Sequence, residues 1–172
     1  MNPVQLKDVG MDLAELIADI SRKTFQETFG PVNTEADMQL FLQKQFTTDT
    51  LIKEVGIPGN RHVLAFVDGI PAGYLFLKYH AHALLLNDPA LEISRIYCLE
   101  KFQGKGVGKT LMQEAIMDAN RKQLKWVWLG VWKENAKAIS FYRSFGFNTF
   151  GTTNFLLGND WQEDWLMKCL VV

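Results

Sequence analysis

Two segments of the sequence combine residue types that can do chemistry together. The first is Gln103-Gly104-Lys105-Gly106-Val107-Gly108-Lys109-Thr110. Glycines at alternate positions let a backbone approach a ligand with no Cβ in the way. Val107, Leu111, Met112, Ala115, Ile116 and Ala119 then recur at helical spacing, so the turn opens an amphipathic helix. A helix start offers free N–H groups and the positive end of its dipole, which suits phosphate. Two familiar phosphate motifs do not fit. A P-loop needs a glycine at position 103, which is Gln, and no apolar strand ending in Asp supplies the magnesium-binding partner. The dinucleotide fingerprint Gly-x-Gly-x-x-Gly fails because the spacing here is Gly-x-Gly-x-Gly. The second segment, Asn135 to Phe147 (NAKAISFYRSFGF), reads as a capped helix with Ile139, Phe141, Tyr142 and Phe145 on its apolar side. Gly146 follows as a left-handed stop.

The remaining chain must position these segments. Residues 3–7 suggest a short strand. Asp12 with Glu15 suggests a capping box before a helix carrying Leu13, Leu16, Ile17 and Ile20. Thr34 and Asp37 open a second helix with Met38, Phe41, Leu42 and Phe46, ending near the Thr47-Thr48-Asp49-Thr50 cluster. His62–Val67 and Ala72–Tyr79 read as a hairpin turned by Asp68-Gly69. Leu91–Leu99 is a further strand, and Trp126–Val131 is apolar enough for a strand buried on both faces. Two last strands fall around Phe147–Phe155 and Trp161–Val171, where Trp161, Trp165 and Met167 read as packing residues. Strand, helix, helix, several strands, helix, strand, helix, strands implies one α/β (α+β) domain over residues 1–172, with helices on a mixed, mostly antiparallel sheet.

The segment Gln103-x-x-Gly106-x-Gly108, followed by Asn135-x-x-Ala138-x-x-Phe141-Tyr142 and Gly146-Phe147, resembles the GNAT family of N-acetyltransferases. The stretches LEISRIY, FQGKGVGK, VWLGVW, ENAKAISFYRSFGF and NFLLGND, with SRKTFQETFG near the start, look most like its PaiA-type bacterial spermidine/spermine acetyltransferases. The likeness covers most of the chain and is strongest from Leu91 to Asp160. It implies a twisted sheet with splayed central strands and an acetyl-CoA site. Gln103, Gly104, Lys105, Gly106, Val107, Gly108 and Lys109 would hold the pyrophosphate, while Ile96, Tyr97 and Cys98 would offer backbone hydrogen bonds to the acetyl and pantetheine arm. Asn135 and Tyr142 would also meet the cofactor, and Gly130 is a candidate splay point.

The reaction so implied needs few groups. An amine attacks a thioester once both are held in place. A free alkylammonium has a pKa near 10.4, so a carboxylate must help remove its proton. The departing thiolate benefits from a nearby weak acid. The resemblance gives that acid as Tyr142 and the carboxylate as Glu92, on the strand before the glycine turn. Strict alternation puts Glu92, Ser94 and Ile96 on one face and Leu91, Ile93, Arg95 and Tyr97 on the other. A polyamine acceptor would want several acids in one cleft, for which Glu27, Asp37, Asp88 and Asp160 are candidates. A protein N-terminus, another small amine, or a non-catalytic acetyl-CoA-binding role are the alternatives.

Composition narrows the field further. Eighteen basic residues against nineteen acidic leave a net charge of -1, against bulk nucleic-acid binding. Cys98 and Cys169 form no CxxC pair, and His80 with His82 lack a third ligand, so no metal is expected. Direct transfer is expected, not an acyl-enzyme on Cys98. No secretory signal or membrane span is visible, which reads as a cytoplasmic monomer or homodimer acting on a small molecule.

Overall fold

The computed structural model describes residues 3–171. Seven strands form a single sheet in the order β1-β2-β3-β4-β5-β7-β6. They are β1 (Gln5–Asp8), β2 (Asn60–Val67), β3 (Ile70–Lys78), β4 (Ala90–Cys98), β5 (Trp126–Trp132), β6 (Asn148–Leu157) and β7 (Asp160–Leu170). Every neighbouring pair is antiparallel except β4–β5. Five α-helices cover the faces: α1 (Ala14–Phe29), α2 (Glu35–Lys44), α3 (Thr48–Glu54), α4 (Val107–Arg121) and α5 (Ala136–Ser144). The α/β (α+β) reading of the sequence therefore holds.

Local chemistry sets most element ends. Asp68 and Gly69 both take positive φ, at 53° and 75°, and close the β2–β3 hairpin. Gly146 ends α5 at φ 86°. Two start signals resolve differently from expectation. Asp12 lies in a short 3₁₀ turn, Leu13 takes the cap position of α1, and no side chain caps it, so the Asp12–Glu15 box is not made. The second helix ends at Lys44, short of Phe46 and just before the Thr47–Thr50 cluster, which also starts a further helix, because the Thr47 hydroxyl accepts the Thr50 N–H at 3.1 Å and caps α3.

The main core lies between the sheet and its helices. Leu75, Leu77, Leu91, Leu111, Met112, Ala115, Val127 and Met167 are wholly buried there. A second cluster joins α1, α2 and α3 to the end of β6: Ala18, Phe25, Met38, Phe41, Leu42, Phe46, Leu51 and Leu157. Phe25 stacks on Phe41 with ring centroids 4.6 Å apart, and Phe41 meets Phe155 edge-on at 5.7 Å. Of the tail residues expected to pack, Met167 is buried and Trp165 half-buried beneath Lys133, whereas Trp161 is 69% exposed.

Candidate active site

β4 and β5 pair over only three residues, Ala90↔Trp126, Leu91↔Val127 and Glu92↔Trp128. Beyond that point the strands part. β4 continues against β3 alone, and β5 continues against β7 alone. The parting therefore begins two residues before Gly130. β4 also has a bulge: Arg95 faces Phe76 and Ile93 faces Leu77, which leaves Ser94 over. The extra residue reverses the alternation. Glu92 is aligned with Lys78 on the face that carries Phe76–Arg95 and Tyr74–Tyr97, while Ile93 shares its face with Ile96 and Cys98. The strict alternation expected from the sequence is thus wrong across Ser94. No residue type at Ser94 announces the bulge.

The gap between the strands is a cleft of about 910 Å³. Ile96, Tyr97, Cys98, Gln103, Gly104, Gly106, Val107, Gly108, Lys109, Asn135, Tyr142 and Glu92 all border it. Lys105 does not; its ammonium lies over the Phe102 ring, 5.2 Å from the centroid. Gly104 and Gly106 both adopt positive φ, which favours glycine at these turn positions. Gly106 is the N-cap of α4, and no side chain caps that helix, in contrast to Thr34 on α2, Thr47 on α3 and Asn135 on α5. The first helical bond runs from Thr110 N–H to Gly106 C=O, so the N–H groups before Thr110 are left for an anion. Gly73 of β3 lets α4 come this close: a Cβ there would lie 2.6 Å from the Tyr97 carbonyl oxygen and 2.9 Å from a Val107 methyl. Lys137 donates to Gln103 Oε1 at 2.5 Å and ties α5 to the glycine turn. The Asn135 side-chain oxygen accepts the Ala138 N–H at 3.1 Å, so its cap role is filled and its amide donors remain.

Tyr142 is 8% exposed, and burial alone pushes its phenol well above the usual value of 10.0. It keeps its proton at neutral pH. Tyr97, on the other face of the sheet, stacks on Tyr74 at 6.0 Å, and its phenol is raised mainly by burial and then by Tyr74 and Tyr142. Burial, with Glu27 as a smaller cause, pushes the Cys98 thiol up to about 11, so little nucleophilic thiolate forms. Glu92 is engaged by His80, and His82 Nδ1 accepts the Leu84 N–H at 3.2 Å. Among the described residues no group of His, Cys, Asp or Glu is placed to hold a metal ion.

The acids proposed for a polyamine do not converge on the cleft. Asp37 accepts from Thr34 and from the Asn159 N–H, Asp88 pairs with Lys125, and Asp160 accepts from Gln162. Glu27 accepts the Glu100 N–H and borders a smaller side pocket of about 290 Å³ with Glu100 and Glu134. Two carboxylates do border the cleft: Glu92 and Asp164. Asp164, on β7, was not singled out by the sequence. It lies in a C-terminal strand with no motif, and only the β5–β7 register carries it beside Gly130 and Trp132. Its carboxyl is raised by burial to about 6.

The fold and site find counterparts among known proteins. The sequence pattern of the Acetyltransferase (GNAT) family matches residues 17–147. An uncharacterized N-acetyltransferase of Lactobacillus delbrueckii subsp. lactis is 42% identical, covering 94% of this chain and 93% of its own length. The spermidine N(1)-acetyltransferase of Thermoplasma acidophilum is 24% identical over 87% of this chain and 91% of its own. The crystal structure of the PaiA N-acetyltransferase of Thermoplasma acidophilum with coenzyme A superposes with a TM-score of 0.79 at 20% identity, over 98% of this chain and 99% of that one. The uncapped start of α4 at the mouth of a parted parallel strand pair matches the needs of a pyrophosphate and an extended thiol arm, and the chain belongs to the GNAT acetyltransferase family, with acetyl-CoA as its co-substrate.

Proposed function

We propose that this protein moves the acetyl group of acetyl-CoA directly to a primary amine, with a polyamine as the acceptor suggested by relatives. The observation that carries the direct route is the arrangement around the cleft. A protonated phenol, Tyr142, borders it from α5, two carboxylates border it from β4 and β7, and the nearby thiol is raised out of nucleophilic range. The glycine turn and α4 start would hold the pyrophosphate, with Lys109 supplying charge from the cleft and Lys105 from outside its wall. The free edge of Ile96–Cys98 would pair with the pantetheine arm. Tyr142 would protonate the departing thiolate. Glu92 or Asp164 would take the proton from the attacking nitrogen.

The polyamine reading rests on the names of distant relatives, such as the spermidine acetyltransferase of Thermoplasma acidophilum. The test is CoA release measured with spermidine, spermine, simple primary amines and a peptide with a free N-terminus. Release with one of these establishes the transfer and ranks the acceptors. Tight acetyl-CoA binding with no release for any amine would refute catalysis and favour a binding role.

A further inference from the structure

On the reading that the cleft transfers acetyl to a primary amine, we propose that Asp164 receives the acceptor nitrogen. The acceptor it selects carries one ammonium on an apolar or aromatic body. Asp164 stands on β7, with Trp132 beside it on β5 and Thr153 beside it on β6. Its Oδ2 lies over Gly130, 3.7 Å from where a Cβ would be, so the absent side chain leaves the carboxylate open to the cleft. It makes no hydrogen bond or ion pair with another described residue. Three acids in the surrounding elements are occupied: Glu92 by His80, Glu54 by Arg95 at 2.5 and 2.8 Å, and Glu163 by Lys133.

The walls of this half of the cleft are mainly aromatic, with Thr28, Gln45 and Gln162 among them. Phe25 and Phe41 come from α1 and α2, Phe46 from the loop between α2 and α3, and Trp128, Trp132 and Phe155 from the sheet. The phenylalanine faces are already in use. Phe25 and Phe41 stack on each other, and the Arg95 guanidinium sits over Phe46, 4.8 Å from its centroid. The one other carboxylate bordering the cleft, Glu92, is held by His80, so a second ammonium would have to displace that contact or exchange its water for largely apolar wall. Glu27, Glu100 and Glu134 gather around Gln103 and Lys137 at the cofactor turn.

The step balances as follows. The ammonium gives one proton to the Asp164 carboxylate, and the freed lone pair attacks the thioester carbonyl carbon. The N–C bond forms and the C–S bond breaks. The thiolate takes the Tyr142 proton, and the nitrogen's remaining excess proton leaves to solvent, which reprotonates the phenolate. Burial puts the Asp164 carboxyl at about 6, above an ordinary carboxylate and so a stronger base. The other titratable groups bordering the same cleft are His82, Glu92, Arg95, Tyr97, Cys98, Lys109, Lys137 and Tyr142.

The experiment compares kcat/KM of the wild type for 2-phenylethylamine and spermidine, and then repeats it with Asp164→Asn and Glu92→Gln across pH 5–9. The expected result is a preference of about tenfold or more for 2-phenylethylamine. Asp164→Asn should lower kcat by about 10²-fold, keep acetyl-CoA binding, and lose the acidic limb that Glu92→Gln retains. Spermidine as the better substrate would overturn the acceptor class. An Asp164→Asn enzyme with near wild-type kcat and an intact limb would overturn the role of Asp164. Should that variant fail to fold, the wild-type preference and its acidic limb still decide, since a limb far from pH 6 counts against Asp164. Failure of every amine would instead refute the transfer reaction itself.

Discussion

Replacing Gly73 by alanine probes how α4 is held against the sheet. The added Cβ would stand 2.6 Å from the Tyr97 carbonyl oxygen, 2.9 Å from a Val107 methyl and 3.2 Å from the Cys98 Cα. Ordinary carbon contacts begin roughly half an ångström or more further out. Two of the three obstacles are backbone, so β4 must move or α4 must lift. Overpacking of this kind costs about 1–3 kcal/mol, against a gain of roughly 0.5–1 kcal/mol from replacing a strand glycine. The middle of the resulting range, a net loss of about 1 kcal/mol, lowers Tm by about 2–4 °C in a domain of this size. The displaced groups carry the free N–H donors of the α4 start and the edge of Tyr97–Cys98, so KM for acetyl-CoA should rise by about tenfold, with a smaller effect on KM for the amine. Calorimetry and steady-state kinetics measure both. Gly30→Ala is the control, because nothing lies within 4 Å of its added Cβ and its φ is -55°. An unchanged Tm and an unchanged acetyl-CoA KM for Gly73→Ala would refute the reasoning.

Other outcomes follow from the same structure. Tyr142→Phe should lower kcat by about 10²-fold with little change in acetyl-CoA binding, and an unaltered kcat would exclude the phenol as the acid. Cys98→Ser should retain most activity and yield no acetylated enzyme in intact-mass measurements, since the thiol is raised to about 11. His62 is buried and stacked on Phe76 at 4.1 Å, and burial holds its pKa down at about 4. The unfolded chain takes that proton near 6.5 and the folded chain only near 4. Stability should therefore fall as pH drops through that interval, by at most about 3 kcal/mol, and His62→Gln should flatten the fall in denaturant titrations. Asp37→Ala removes the acceptor for the Asn159 N–H at 2.8 Å, which fastens the β6–β7 turn to the start of α2. It should raise KM for the amine and leave that for acetyl-CoA unchanged.

The cofactor half of the site was legible because its chemistry is local in sequence. A glycine turn and the helix after it are contiguous, so the run from Gln103 to Lys109 could be brought to the cleft, all but Lys105, before any tertiary contact was known. Asn135 and Tyr142 were legible for the same reason, as the cap and a second-turn residue of a single helix. The acceptor half is assembled from separate elements. Phe41 read only as helix core and Phe25 was not singled out, and nothing in their spacing says that they wall a cleft with Phe155, more than a hundred positions away. Asp164 depends on the β5–β7 register, which sequence patterning leaves open. The Ser94 bulge was hidden because a single surplus residue changes phase without changing composition. Glu92 was found by its strand, yet its partner His80 comes from the loop after β3.

The parted strands have a consequence for the lifetime of the protein. Beyond Glu92 and Trp128, β4 and β5 each present an unpaired edge in the middle of a sheet, where most proteins hide or abolish such edges. Here the edges lie at the floor of a cleft walled by helices on both faces, so a slim extended molecule can reach them and a second sheet cannot. With its pantetheine arm paired to the β4 edge as proposed, acetyl-CoA would serve as a removable inner strand. By mass action, cofactor at a hundred times its Kd adds about 2.7 kcal/mol to the folded state. The same molecule that supplies the acetyl group also sets resistance to unfolding and proteolysis, so scarcity of acetyl-CoA shortens the survival of the enzyme that consumes it.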